Sequence, residues 1–165
     1  MNAMAKIIND LNKIFAPIDA EVRETSIKWA LGRNDALIAW RNDPAQKELR
    51  KNIGIHAYYD QMWSVAGGKG WYNILSGNSK EGIAEIAGKK ADKLVEARNA
   101  KIAKKLNDLG VTEVLSQELT RTGNGFHGFF KIITDKGPKT IHIETIVAGG
   151  YNIQCIHNRT LVKVK

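Results

Sequence analysis

Through the first two-thirds of the chain, apolar residues recur at spacings of three and four; through the last third they alternate with polar ones. The first pattern is that of helices with one buried face, the second that of strands half-buried in a sheet. Ile7, Ile8, Leu11, Ile14 and Phe15 mark a first helix, and Pro17 is expected to close it. Ile18, Val22, Trp29, Leu37 and Trp40 stripe a second helix from Asp19 to Asn42-Asp43. Asp19, Glu21 and Glu24 stand early in it, where the helix dipole favours negative charge. Pro44 opens a third helix carrying Leu49, Ile53, His56, Ala57, Asp60 and Trp63. Gly54 weakens that helix by about 1 kcal/mol relative to alanine.

Gly67, Gly68, Gly70 and Gly77 make residues 66–79 an expected break. Asn78 followed by Glu81 has the form of a capping box, with asparagine in place of the usual hydroxyl residue. The helix predicted from Lys80 to Leu109 has the clearest pattern, with Ile83, Ile86, Leu94, Ile102, Leu106 and Leu109 on one stripe and Gly110 as its stop.

Strands are predicted over Val114–Thr122, Phe126–Thr134 and Thr140–Val147, with one or two more between Tyr151 and Val164. Gly123-Asn124-Gly125, Asp135-Lys136-Gly137-Pro138 and Ala148-Gly149-Gly150 supply the turns. The predicted fold class is α+β: a helical N-terminal two-thirds, then a small antiparallel meander packed against the long helix. The expected division is a helical region over 1–79 and a helix-plus-sheet region over 80–165, within one compact domain overall.

Composition fits a packed globular chain, with 43% hydrophobic and 25% charged residues among 165. Cys155 is the only cysteine, which excludes an intramolecular disulfide. Asn9, Asp10 and Asn12 interrupt the apolar run that a signal peptide would need at the start, and no apolar run is long enough to span a bilayer. A cytoplasmic protein without membrane contact is expected.

The formal net charge is +8, and residues 121–165 hold seven basic side chains against Asp135 and Glu144. Such an excess favours nucleic acid or another polyanion as partner. On the long helix no acid intervenes between Arg98 and Lys105, so Arg98, Lys101 and Lys105 could lie along a phosphate backbone. Strand alternation places Phe126 and Phe130 on one face and His127, Phe129 and Lys131 on the other. An exposed aromatic ring beside basic side chains is the means by which a sheet grips single-stranded nucleic acid. The candidate nucleic-acid-binding residues are therefore Arg98, Lys101, Lys105, Arg121, Phe129, Lys131, Arg159 and Lys163.

Other chemistries find less support. Ala66-Gly67-Gly68-Lys69-Gly70 lacks the spacing of a phosphate-binding loop, because Trp63 stands where its first glycine belongs and Gly70 follows the lysine. The four histidines show no metal-ligand spacing, and a register set by a 135–138 turn keeps His127 and His142 apart. Cys155 and His157 share a predicted strand face without any mark of an activated nucleophile. No catalytic residues, metal or cofactor are expected.

The segment Ala148-Gly149-Gly150-Tyr151-Asn152-Ile153-Gln154-Cys155-Ile156-His157-Asn158-Arg159, with Lys136-Gly137-Pro138-Lys139 before it, resembles small, largely uncharacterised accessory proteins of tailed bacteriophages. The resemblance covers the C-terminal third and carries no catalytic residues. It implies action in the cytoplasm of an infected bacterium, by binding nucleic acid or by blocking a host enzyme or defence system. The expected function is a non-enzymatic basic binding protein contacting nucleic acid. The alternative is a protein-binding inhibitor of a host enzyme or antiviral defence system, or a self-assembling homo-oligomeric module, using the tryptophan-bearing helices.

Overall fold

The computed structural model describes residues 2–122, 125–148 and 157–164, with side chains outside the description at 122, 125, 126, 146–148 and 157–161. Among the described residues four helices, α1 (Ala3–Asn42), α2 (Pro44–Ala66), α3 (Lys69–Gly77) and α4 (Lys80–Leu109), precede four strands, β1 (Val111–Thr122), β2 (Gly125–Thr134), β3 (Gly137–Ala148) and β4 (His157–Val164). The strands form an antiparallel meander in the order β1-β2-β3-β4. The architecture is α+β, as the change in periodicity predicts.

Local chemistry accounts for most element ends and for three departures from expectation. The first two predicted helices are one, because α1 runs through Pro17. Proline leaves the carbonyl of residue 13 without its helical donor. Lys13 and Pro17 are exposed, while Phe15 and Ile18 on either side of the proline are buried in the core. Secondly, the glycine-rich break contains a helix, α3, anchored by buried Trp71 and Leu75. Gly67 and Gly68 end α2 by donating to Ser64 O and Trp63 O, with Gly67 at φ +94°. A Cβ on Gly67 would lie 2.7 Å from the Trp29 ring, so the turn also admits that indole. Thirdly, Ser79 and not Asn78 caps α4: its Oγ accepts from the Gly82 amide at 3.2 Å. Asn78 instead donates to Ile74 O at the end of α3. Gly54 does more than weaken α2, since its φ of 80° and ψ of 167° put a kink within it.

Packing divides the chain into two compact units, residues 1–23 with 90–165, and residues 24–89. Both α1 and α4 supply residues to each, so the units do not follow the expected 1–79 and 80–165 division. In the second unit, Trp29 meets Trp71 edge-on at 5.1 Å, Arg33 donates to Val65 O, and Arg41 donates to Ser76 Oγ. These contacts tie its part of α1 to α2 and α3.

The described residues of the first unit form one core. Ile7, Leu11, Phe15 and Ile18 of α1 and Ile102 and Leu106 of α4 bury themselves against Phe130, Ile132, Ile141 and Ile143 of the sheet. At the edge of this cluster Arg98, 3% exposed, lays its guanidinium over the Phe15 ring at 4.3 Å. Its two terminal nitrogens donate to Asp19 Oδ1 and Oδ2 at 2.8 and 2.9 Å, and one also donates to Asn12 Oδ1 at 2.9 Å. A planar, two-point pair of this kind fixes both the distance and the rotation between two helices. Farther along α1, Asp10 accepts from Lys6 and from Gln117 of β1, and these bonds hold its carboxyl below the usual carboxylate range.

Arg98→Ala strands the Asp19 carboxylate in a largely buried site and is expected to lower unfolding free energy by about 3 kcal/mol. The double variant Arg98→Met with Asp19→Leu should recover most of that loss, since matched apolar residues replace such pairs well. Chemical denaturation of both variants measures the effect. A loss below about 1 kcal/mol for Arg98→Ala would show that the pair does not hold the helices together.

Candidate nucleic-acid interface on the sheet

The two faces of the sheet differ in kind. Phe130 pairs with Ile141, and both are fully buried beneath α1 and α4. The next residue back along β2, Phe129, points to the opposite face and keeps 38% of its surface exposed. Gly128 makes this geometry possible on the buried side. A Cβ there would lie 2.8 Å from the Phe130 ring and 2.7 Å from Leu119, so only glycine leaves room for both.

On the open face Phe129 is part of an aromatic cluster. The imidazole of His142 stacks on it with centroids 4.3 Å apart and planes within 6°. His127 meets Phe129 and His142 nearly perpendicularly, each at 5.6 Å. The register expected from sequence keeps the two histidines apart, and the structure overturns it. Thr134 pairs with Gly137, so only Asp135 and Lys136 form the loop. Thr134 Oγ1 closes it by donating to Gly137 O at 2.8 Å and accepting from the Lys136 amide at 3.1 Å. That tight closure pairs Phe129 with His142 and His127 with Glu144, which brings the rings together.

The structure sorts the predicted binding residues into several places. Phe129, Lys131 and Lys163 share the open face: Lys131 follows Phe129 at the next same-face position, and Lys163 pairs with His142. Both lysines are exposed. Arg121 is exposed but falls in the alternation of Leu119, on the other face of β1. Lys101 and Lys105 are exposed on α4, whose Ile102 and Leu106 pack on the covered face, so they cannot join Phe129. Arg98 must be removed from the set, because the Asp19 pair and the Phe15 ring engage its guanidinium inside the protein. The backbone of Arg159 pairs with Ile146, and its side chain lies outside the described residues. Cys155 and most of the 148–159 segment lie outside them as well.

Sequence reading put His127 on the face of Phe129 but missed that His142 joins them. The signal was the Thr134–Gly137 closure: a two-residue loop, not a four-residue one, sets the pairing. A second aromatic assembly also went unseen. In the unit formed by residues 24–89, Trp40 lies 4.9 Å from Tyr58, Tyr58 6.1 Å from Tyr59, and Tyr59 6.3 Å from Trp63. Arg50 sits over Tyr58 at 5.5 Å and Lys69 over Trp63 at 5.1 Å. Lys69, in the glycine-rich segment that lacks phosphate-loop spacing, is the first residue of α3 and lies over an indole.

A groove of about 470 Å³ between α1 and α4 is lined by Asn12, Asp19, Arg23, Asp92 and Glu96; Asp19 in it is paired with Arg98, and Arg23 with Asp92. Among the described residues no group of three or more His, Cys, Asp or Glu side chains could hold a metal ion. No described helix is long and apolar enough to cross a membrane. Comparison with family models, with curated proteins and with solved structures finds no match.

The two faces make a direct prediction for adjacent phenylalanines. Phe130→Ala should cost about 3–5 kcal/mol of stability by opening a cavity in the core, whereas Phe129→Ala should cost about 1 kcal/mol or less. Denaturant midpoints of the two variants measure the contrast, and similar losses would contradict the assignment of the faces.

Proposed function

We propose that the protein is a non-enzymatic binding protein that grips single-stranded nucleic acid on the open face of its sheet. The observation that carries this reading is the Phe129–His142 stack on a face where Lys131 and Lys163 are exposed. Exposed planar rings offer a stacking platform to unpaired bases, each worth about 1–3 kcal/mol, and the ammonium groups neutralise phosphates along the strand. A duplex presents its bases edge-on within grooves and gains nothing from such a platform. The net charge of +8 adds a general attraction for polyanions. The likeness of the 148–159 segment to tailed-phage accessory proteins supports a bacterial cytoplasm during infection as the setting.

Fluorescence anisotropy with labelled single-stranded and duplex oligonucleotides at two salt concentrations tests the reading. Single strands should bind more tightly, with affinity falling steeply as salt rises. Phe129→Ala should weaken binding about tenfold, and Lys131→Ala with Lys163→Ala should reduce the salt slope by about 1 to 2. Lys101→Ala with Lys105→Ala should change little. Binding insensitive to salt and to Phe129→Ala would overturn the proposal.

A second reading, protein docking through the unit of residues 24–89, is favoured by the Trp40–Tyr58–Tyr59–Trp63 run and by exposed Ile38 and Ile55. Tyr, Trp and Arg are the residue types that anchor protein interfaces. Its self-assembling form predicts concentration-dependent sedimentation that Ile55→Ser with Tyr59→Ser abolishes; a monomer at every concentration would remove that form.

A further inference from the structure

The two ring faces of Phe129 have different neighbours. His142 of β3 stacks on one of them, with planes within 6°. Because β2 lies between β1 and β3, the other ring face turns toward β1. The residue of β1 directly opposite Phe129 is Glu118, which is exposed. Directly opposed residues of an antiparallel pair keep their Cβ atoms about 5 Å apart and on one face of the sheet. A base laid on the open side of the Phe129 ring therefore lies over β1, with Glu118 at its edge. Ser116 and Thr120, at the neighbouring same-face positions, pair with Lys131 and His127. Among the described residues no ion pair holds Glu118.

We propose that this position selects guanine. An ionised carboxylate only accepts hydrogen bonds, through two oxygens side by side. Guanine alone among the common bases presents two adjacent donors on its Watson–Crick edge, the ring N1–H and the exocyclic amine. Adenine and cytosine set one amine beside an acceptor, and uracil and thymine set one donor between two acceptors, so each turns an acceptor toward the carboxylate. In single-stranded nucleic acid that edge is open to be read. The carboxylate also repels phosphate, so Glu118 lowers affinity for every strand and restores it only where the fork of donors is met. Lys131 and Lys163 would then hold the backbone while Phe129 and Glu118 read one base. The inference rests on the nucleic-acid reading and names the base class that the same face takes.

The test uses the full chain and labelled oligothymidine carrying one central guanine, inosine, adenine, cytosine or thymine. Guanine should bind about tenfold more tightly than adenine, cytosine or thymine, in line with a two-point base contact. Inosine, which keeps N1–H and lacks the amine, should lose most of that advantage. Glu118→Gln should erase the preference while binding plain oligothymidine more tightly than the wild-type chain does. Glu113→Gln, which removes the same charge elsewhere on β1, should leave the preference intact. Equal, salt-sensitive binding of all five strands would overturn guanine selection and leave the nucleic-acid reading standing. Salt-sensitive binding of none would overturn both. A guanine preference unchanged in Glu118→Gln would overturn the assignment to this residue.

Discussion

The Arg98–Asp19 pair is the constraint on which the sheet-bearing unit depends. A guanidinium that is 3% exposed carries a large desolvation cost, which two carboxylate oxygens, the Asn12 amide oxygen and the Phe15 ring together offset. Few relative placements of α1 and α4 satisfy all four partners at once. Meeting all four partners fixes one rotation of each helix. That rotation directs Ile7, Leu11 and Phe15 of α1, with Ile102 and Leu106 of α4, onto the same side of the meander.

Covering one side only leaves the other open as a candidate site. The alternation of β2 and β3 puts Phe130, Ile132, Ile141 and Ile143 under the helices and leaves Phe129, Lys131 and His142 on the far side. No extra loop or insertion is needed to present these side chains. They are the other half of strands whose first half is core. The Asp135-Lys136 loop then decides which of them meet, since its length sets the pairing of β2 with β3.

The fold class was legible in the sequence because periodicity records burial: Ile83 to Leu109 could only be helical, and Thr140 to Val147 could only be half-buried strand. The split between Phe129 and Phe130 was legible for the same reason. Pro17 misled, since a residue's propensity cannot show that Phe15 and Ile18 are pinned in a core on either side of it. Residues 66–79 misled similarly, because glycines that break one helix also begin the next when Trp71 and Leu75 are buried. Arg98 was misread on the strength of its basic neighbours. Net charge along a helix does not say which cation faces inward, and its partner Asp19 lies 79 positions away. The His127–His142 contact hung on a turn that is two residues shorter than expected, and a difference of that size re-pairs every residue of a hairpin while leaving each on its own face.

The open face is not uniformly basic, and that departs from what phosphate affinity alone requires. Glu118 and Glu144 flank the aromatic cluster as the register partners of Phe129 and His127. A surface whose sole task was to attract a polyanion would gain affinity by replacing either with a neutral residue, since each negative charge opposes the field of the lysines around it. Charges that oppose the general attraction act as selectors, weakening all partners except those that satisfy them. On the proposed reading of this face, the lysines would set how strongly a strand is held, the rings that its bases are unpaired, and the carboxylate beside Phe129 which base is tolerated there.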